Sequence, residues 1–417
     1  MKKIVVIGAG AAGLMAAIAA SDEGCDVTIL EHKDAMGRKL RITGNGKCNF
    51  TNLSCCAENL KKDSFLRSEN ISFAEEALKL MPVSKTLSFF ESKGMTFIEK
   101  NGYVYPRSEQ ASSVVEFFDG LCDAYNIRII YKAEVKKILK EDRCKVEYIY
   151  DNQRTFITAD KVIIAAGSKA NSKTGSDGSG YYFAKCLGHN IVPVVPGLVG
   201  LCVDEDYIKK MSGVRATGEI TVYENGLSKK LASDKGELQF TAYGISGIPV
   251  FQVSRYVAKE LYNGGKVTGV VDLLPEYEEK ELINRLVMLK RNNKNHSIDM
   301  VFKTMVNNKV SDVVFDYFGI EKNDSVINIS DEIIENIIHF MKNMKFNIND
   351  TNGFENAQVC AGGVDTKEVN SMTMESGIHK DIYFAGEVLD VDGICGGYNL
   401  QWAWTSGYIA GKAAAKA

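Results

Sequence analysis

The chain has 417 residues, 45% of them hydrophobic and 25% charged, with 37 glycines and 6 prolines. Those fractions exclude a disordered chain, a collagen-like repeat and a small disulfide scaffold, and the length predicts two or three domains. Lys and Arg number 50 against 53 Asp and Glu, so the formal net charge of −3 gives no overall pull toward nucleic acid or an anionic membrane. So few prolines predict compact crossings between domains rather than a proline-rich linker. The 10 cysteines include no C-x-x-C or C-x4-C spacing, which argues against a dithiol redox motif or a zinc ribbon and fits a reducing cytosol.

Lys2-Lys3 ahead of a small apolar run imitates a secretory leader, but glycines at 8, 10 and 13 and a strand directly afterwards point to a βαβ unit. Residues 4–7 are uninterruptedly apolar, as in a parallel strand buried on both faces. The turn Gly8-Ala9-Gly10-Ala11-Ala12-Gly13 follows, then a helix to about Asp22, then a strand over 26–30 that ends at Glu31. Gly8 permits the tight turn, Gly10 lets backbone approach a pyrophosphate, and Gly13 lets the helix pack close on the strand. The helix N-terminus offers N–H groups to phosphates. Glu31 stands 18 residues past Gly13, where a carboxylate accepts from both ribose hydroxyls and repels a 2′-phosphate. This unit alone does not separate FAD from NAD.

Later segments favour the longer ligand. Residues 36–52 are glycine-punctuated, basic and amide-rich: Arg38 and Lys39 can neutralise phosphate, and Gly44, Asn45 and Gly46 let backbone come close to a flat ring, with Cys48 and Asn49 beside them. Val135 lies in a predicted strand whose backbone can read an adenine edge. Residues 161–168 form another buried strand, and its small end residues Ala166 and Gly167 suit it to pass beneath a dinucleotide. Residues 382–384 make a short strand before Gly386 and Glu387. Asp392, Gly397, Tyr398, Asn399 and Leu400 then open a last helix, predicted from about 402 to 415. A second acid and a second glycine-rich helix start suit a ligand whose ribitol meets Glu387 and whose ring lies over that helix N-terminus. FAD is such a ligand.

Between Val194 and about Asp350 the texture changes. Short strand-like runs over 217–222, 229–232, 238–241 and 266–272 predict a small β-barrel or sandwich, and leucines 282, 286 and 289 recur at helical spacing. Lys290, Arg291, Lys294, Lys303 and Lys309 make this helical stretch locally basic, which reads first as a solvated face. No zinc-type cluster or nucleophile elbow is evident, and His32 and His379 read as surface residues. Cys48, with Lys47 next to it, Cys395, Tyr398 and Tyr243 are the side chains nearest to candidates for catalysis, but the cysteines read first as packing residues and the tyrosines as buried groups satisfying backbone, and no catalytic residue is assigned. No apolar stretch beyond the first reaches the ~20 residues needed to span a bilayer, so a soluble, cytoplasmic protein is expected.

The block Gly37-Arg-Lys-Leu-Arg-Ile-Thr-Gly-Asn-Gly-Lys-Cys-Asn-Phe-Thr-Asn52, the block from Gly236 to Pro249, and the run from Ala361 through Gly386-Glu387 to Gln401 resemble the bacterial two-dinucleotide-binding-domain flavoproteins, NAD(P)/FAD-dependent oxidoreductases of the BaiN-like type. The resemblance covers nearly the whole chain. It implies an α/β fold: a Rossmann-like FAD domain with a parallel sheet (1–193 and 351–417), interrupted by a β-barrel (194–275 and 320–350) that carries a small helical subdomain (276–319). Glu31, Arg38, Lys39, Asn45, Cys48, Val135, Gly386, Glu387, Asn399 and Leu400 would lie along FAD. NAD(P)H would be a diffusible donor, and a small hydrophobic enone, such as a 3-dehydro bile acid, the acceptor. The sequence departs from the pattern at Asn45, Tyr103, Ala242, Cys360 and Cys395, which bears on the substrate more than on the cofactor. An oxygen-using amine or amino-acid oxidase and an FAD-bearing RNA-binding or sensor protein are the alternatives. The sequence assigns no oligomeric state.

Overall fold

Small residues let the two ends of the chain meet. The opening helix, Ala11–Ser21, is buried from Ala12 to Ala20, and the closing helix, Tyr398–Lys416, packs on it. A Cβ at Gly407 would lie 2.4 Å from the Ala12 carbonyl oxygen, and one at Gly411 2.2 Å from that of Ala16. Only glycine permits so close a backbone approach. The computed structural model describes residues 1–60, 64–292 and 296–416. Its contacts divide the chain into Met1–Val194 with Val359–Ala417, and Val195–Gln358.

In the first unit a five-stranded parallel sheet runs in the order Ile382–Phe384, Lys161–Ile164, Lys3–Ile7, Asp26–Leu30, Arg128–Ile130. Residues 4–7, 27–30 and 161–164 are all buried, as a sheet covered on both faces demands. An antiparallel three-stranded sheet, Glu134–Lys140, Cys144–Tyr150 and Gln153–Ala159, accompanies it. Phe50, Phe90, Phe118 and Trp404 form one buried aromatic cluster: Trp404 stacks on Phe50 at 4.9 Å and on Phe118 at 5.7 Å. Each such pair adds about 0.5–1.5 kcal/mol beyond burial. The cluster ties the loop after Glu31 to the closing helix, and the Trp404 indole N–H donates to the Phe50 carbonyl at 2.9 Å.

The second unit is a closed antiparallel barrel of Leu201–Val203, Gly244–Gly247, Lys229–Thr241, Arg215–Glu224, Val267–Asp272 and Met344–Thr351. The runs 229–232 and 238–241, expected as separate strands, are one strand, because the turn-like residues 233–236 pair in register with Thr221 through Gly218. Three helices, Glu279–Asn292, Ile298–Phe302 and Asn308–Phe318, occupy the predicted helical stretch. A further helix, Asp331–Lys342, falls where only barrel was expected; it is strongly amphipathic and N-capped by Ser330. Lys294 lies outside the described residues. Among the described residues no helix is long and apolar enough to cross a membrane.

Candidate functional site

The opening turn is built by backbone. Gly8 has φ +101°, and a Cβ there would meet the Ala165 carbonyl oxygen at 2.6 Å. A Cβ at Gly13 would fall 1.9 Å from the Gly8 oxygen, whereas one at Gly10 meets nothing within 4 Å. Gly10 therefore faces open space at the helix start, where no side chain caps the N–H groups of Ala11 and Ala12. Both oxygens of the buried Glu31 carboxylate accept backbone N–H bonds at 2.8 Å, from Ala9 and from Lys33. That fixes a negative charge beside the turn with lone pairs left for further donors. The Ala133 N–H donates to the Glu31 carbonyl at 2.9 Å, so the strand bearing Val135 starts beside this acid. Ala166 follows Ala165 beneath Gly8, and Gly167 turns with φ +75°.

The chain's last part reaches the same place. A Cβ at Gly386 would lie 2.7 Å from the Ala12 methyl, and the Glu387 carboxylate pairs with Lys39 at 2.7 Å and accepts from the Ser168 hydroxyl at 3.2 Å. In the loop after Gly37, Gly44 and Asn45 are left-handed, and a Cβ at Gly46 meets nothing within 4 Å. Gly397 abuts Thr51 and the Asn49 side-chain oxygen, a buried atom with no hydrogen-bond partner among the described residues. Gln401 is fully buried: its amide donates to Thr86 at 2.8 Å and Thr405 at 3.0 Å, and its oxygen accepts from Thr51 at 2.6 Å. This network holds the helix start against the loop.

Several expected residues carry other loads. Arg38 pairs with Asp34 at 3.2 Å on the surface. The Asn399 side chain accepts from the Gly393 N–H at 2.7 Å and donates to the Gly393 carbonyl at 2.9 Å, clamping the preceding turn. Tyr398 stacks on Phe65 at 5.2 Å, Leu400 packs on the core, and buried Asp392 pairs by backbone with Arg67. Cys48 is wholly buried and burial pushes its thiol up to about 12, so it is no ready thiolate; the expected cation Lys47 instead lies 3.5 Å from Glu109. Cys395 is half-buried in the turn before the closing helix. Tyr243 belongs to the second unit, where it packs on Gly200. His32 and His379 are half-buried rather than exposed, His32 standing 3.5 Å from Glu31 and His379 bonding to the Leu187 carbonyl at 3.0 Å.

Sequence reasoning missed Ser168 and Tyr181 as partners of Glu387, and the Thr51–Thr86–Gln401 network. Residues more than 200 positions apart give no local signal of such pairing.

The residues present fit FAD. Gly10 and Gly46 leave room that a side chain would fill, the Asn49 oxygen is a buried acceptor awaiting a donor, and Glu31 and Glu387 supply two acids on the same body. The model of the HI0933-like protein Rossmann domain matches residues 2–413. The chain belongs to this family. It is 42% identical, over all of both chains, to a 3-dehydro-bile acid delta(4,6)-reductase of Clostridium scindens. It is 32% identical to a ribosomal RNA dihydrouridine synthase of Haemophilus influenzae, over 97% of this chain and 96% of that one. Its fold is like that of a 3-ketosteroid-delta4-(5alpha)-dehydrogenase of Rhodococcus jostii, at 13% identity and a TM-score of 0.53, covering 100% of this chain and 97% of the other. This member of the family is an FAD-dependent oxidoreductase with a Rossmann fold.

Proposed function

We propose that this flavoprotein takes hydride from NAD(P)H and reduces a carbon–carbon double bond conjugated to a carbonyl in a small hydrophobic substrate. A 3-oxo steroid or bile-acid enone is the most concrete case. The observation that carries this reading is the full-length 42% identity to the bile acid reductase, joined to an opening turn and a loop that Gly10 and Gly46 keep clear of side chains. FAD, when bound, supplies the acceptance and release of hydride. One NAD(P)H and one proton are consumed, and each carbon of the double bond gains a hydrogen.

In this reading Glu31 receives the adenosine ribose, and the bare amides of Ala11 and Ala12 receive the pyrophosphate with help from Arg38 and Lys39. The carboxylate of Glu387 orients the ribitol. Asn45, Gly46, Cys48 and Asn49 border the ring, and the N-terminal amides of the closing helix, from Gly397 through Leu400, stabilise negative charge on it. Val135 reads the adenine, Ala166 and Gly167 pass beneath the cofactor, and Asp392 and Tyr398 shape the turn that faces it. No side chain is assigned to protonate the substrate.

The test is anaerobic reduction of the purified yellow protein with NADH or NADPH, followed by a 3-oxo-Δ4 steroid. Reoxidation of the flavin with loss of the enone absorbance is the expected result. A reduced flavin that no enone reoxidises overturns the substrate class. Reduction of ribosomal RNA uridine is a second reading, favoured by the relative named for that activity. Against it, the basic helices are largely satisfied within the unit: Lys290 pairs with Asp331 at 2.7 Å, Lys303 with Asp299 at 2.6 Å, and Lys309 donates to the Ser212 carbonyl at 2.8 Å. A low-salt gel shift with ribosomal RNA separates the two readings, because phosphate contacts are strongest there.

A further inference from the structure

Near the C-terminal end of the closing helix, the first unit has a cavity of about 470 Å³ that none of the flavin-site residues lines. Leu80, Met372, Ile409, Ala413 and the Tyr408 ring make its walls apolar. Tyr383, on the edge strand of the parallel sheet, is fully buried in its wall, and burial together with the neighbouring Glu375 carboxylate pushes its hydroxyl pKa up. Three lysines, 85, 412 and 416, line the cavity against one carboxylate, Glu375, which already accepts the Asp381 N–H at 2.9 Å. Lys85 and Lys412 stand 5.3 and 5.6 Å from the centre of the Tyr408 ring. Lys412 also pairs with Glu23 at 2.8 Å, whereas among the described residues Lys85 and Lys416 have no carboxylate partner. Helix-end electrostatics do not require Lys85, which comes from another helix, Val83–Ser92.

Strand addition is disfavoured here, since Tyr383 already bridges to Glu375 on the sheet's free edge. We propose that this cavity binds a small amphipathic carboxylate, its apolar body against Tyr408, Ile409 and Met372 and its anion held by Lys85 and Lys416. The site is separate from the flavin site and does not depend on the reaction assigned there.

Octanoate and its neutral analogue octanamide are the probes, titrated calorimetrically into the flavin-loaded protein. Octanoate should bind at least tenfold more tightly, a difference of about 1.4 kcal/mol, and added salt should narrow the gap. The double variant Lys85→Glu with Lys416→Glu should lose at least tenfold in octanoate affinity while keeping its flavin content, which reports that it is folded. Ala413→Trp should fill the cavity and abolish binding. Equal binding of acid and amide, no binding of octanoate, or unchanged octanoate affinity in the charge-reversed protein would each overturn the proposal.

Discussion

The two glycine-rich helix starts do similar work by opposite means. At Gly8–Gly13 backbone packs on backbone, the Glu31 carboxylate takes the Ala9 N–H, and the helix start is left bare. At Gly396–Gly397 the turn is held by side chains from far along the chain: Asn52 donates to the Gly396 carbonyl at 3.1 Å, Asn399 clamps Gly393, and Gln401 joins Thr51 to Thr86. The first start rests mainly on close backbone contacts and a carboxylate 22 residues on, and the second on side chains 344 and 350 residues away. Substitutions at the first should therefore act sterically and locally, and those at the second through lost hydrogen bonds.

The largest effect is expected at Gly13. Gly13→Val would place side-chain carbon inside the Gly8 carbonyl contact and should cost more than about 4 kcal/mol, read as loss of folded protein. Gly10→Ala, three residues away, meets only open space and should leave the melting temperature unchanged while weakening flavin retention. Equal damage from both would break the distinction between a packed glycine and one that faces the ligand.

Next is Glu31→Arg. It removes the acceptor for the Ala9 and Lys33 amides and replaces a ribose acceptor with a cation, so the purified protein should lose its visible flavin absorbance. Retained flavin in a folded variant would show that the adenosine half lies elsewhere. At the second start, Gln401→Leu keeps the apolar volume but strands the Thr51 and Thr86 hydroxyls in the core, while Thr405 keeps its bond to the Met81 carbonyl at 2.9 Å. The expected cost is about 2–4 kcal/mol in denaturant unfolding. A loss under about 1 kcal/mol would mean that water relieves the network.

The same division explains what the sequence revealed. The strand over 26–30, the opening turn and Glu31 were legible because each rests on a local period or a fixed spacing. The Rossmann sheet followed from them. The pairing of Lys39 with Glu387 and the burial of Gln401 were not, because they join residues 348 and 350 positions apart. At Cys48 the neighbouring Lys47 allowed a lowered pKa beside the favoured reading of a packing residue, and the backbone, turning there with φ +58°, leaves the thiol in the core and the lysine outside. The helix Asp331–Lys342 was hidden by its position between barrel segments, although its amphipathic period was there to be read.

The smallest expected effect concerns acid and separates the halves again. The strand Ile382–Phe384, which leads to Glu387 and the second start, rests on a titratable clasp. The buried His189 ring meets Phe384 edge-on at 4.9 Å, bonds Ser376 at 2.8 Å through Nε2, and bonds Glu368 at 3.0 Å through Nδ1. The Ser376 hydroxyl oxygen also accepts the N–H groups of Ile378 and His379 at 3.1 and 2.9 Å, so it is a saturated structural hub rather than a free nucleophile. Burial lowers the His189 pKa despite the Glu368 carboxylate, so the folded protein holds the ring neutral. The unfolded chain binds a proton near pH 6.5, the ordinary histidine value. The stabilisation is therefore complete above that pH and is lost as the pH falls below it, until the folded form also takes up the proton. Melting curves at pH 7.5 and 5.5 should show a smaller acid-induced loss in His189→Gln than in the parent, by less than about 1 kcal/mol. The paired expectation is that Gly10→Ala, altered only at the first start, keeps the parent's full acid sensitivity. An acid response that Gly10→Ala changes and His189→Gln does not would reverse which of the two starts is held by side chains.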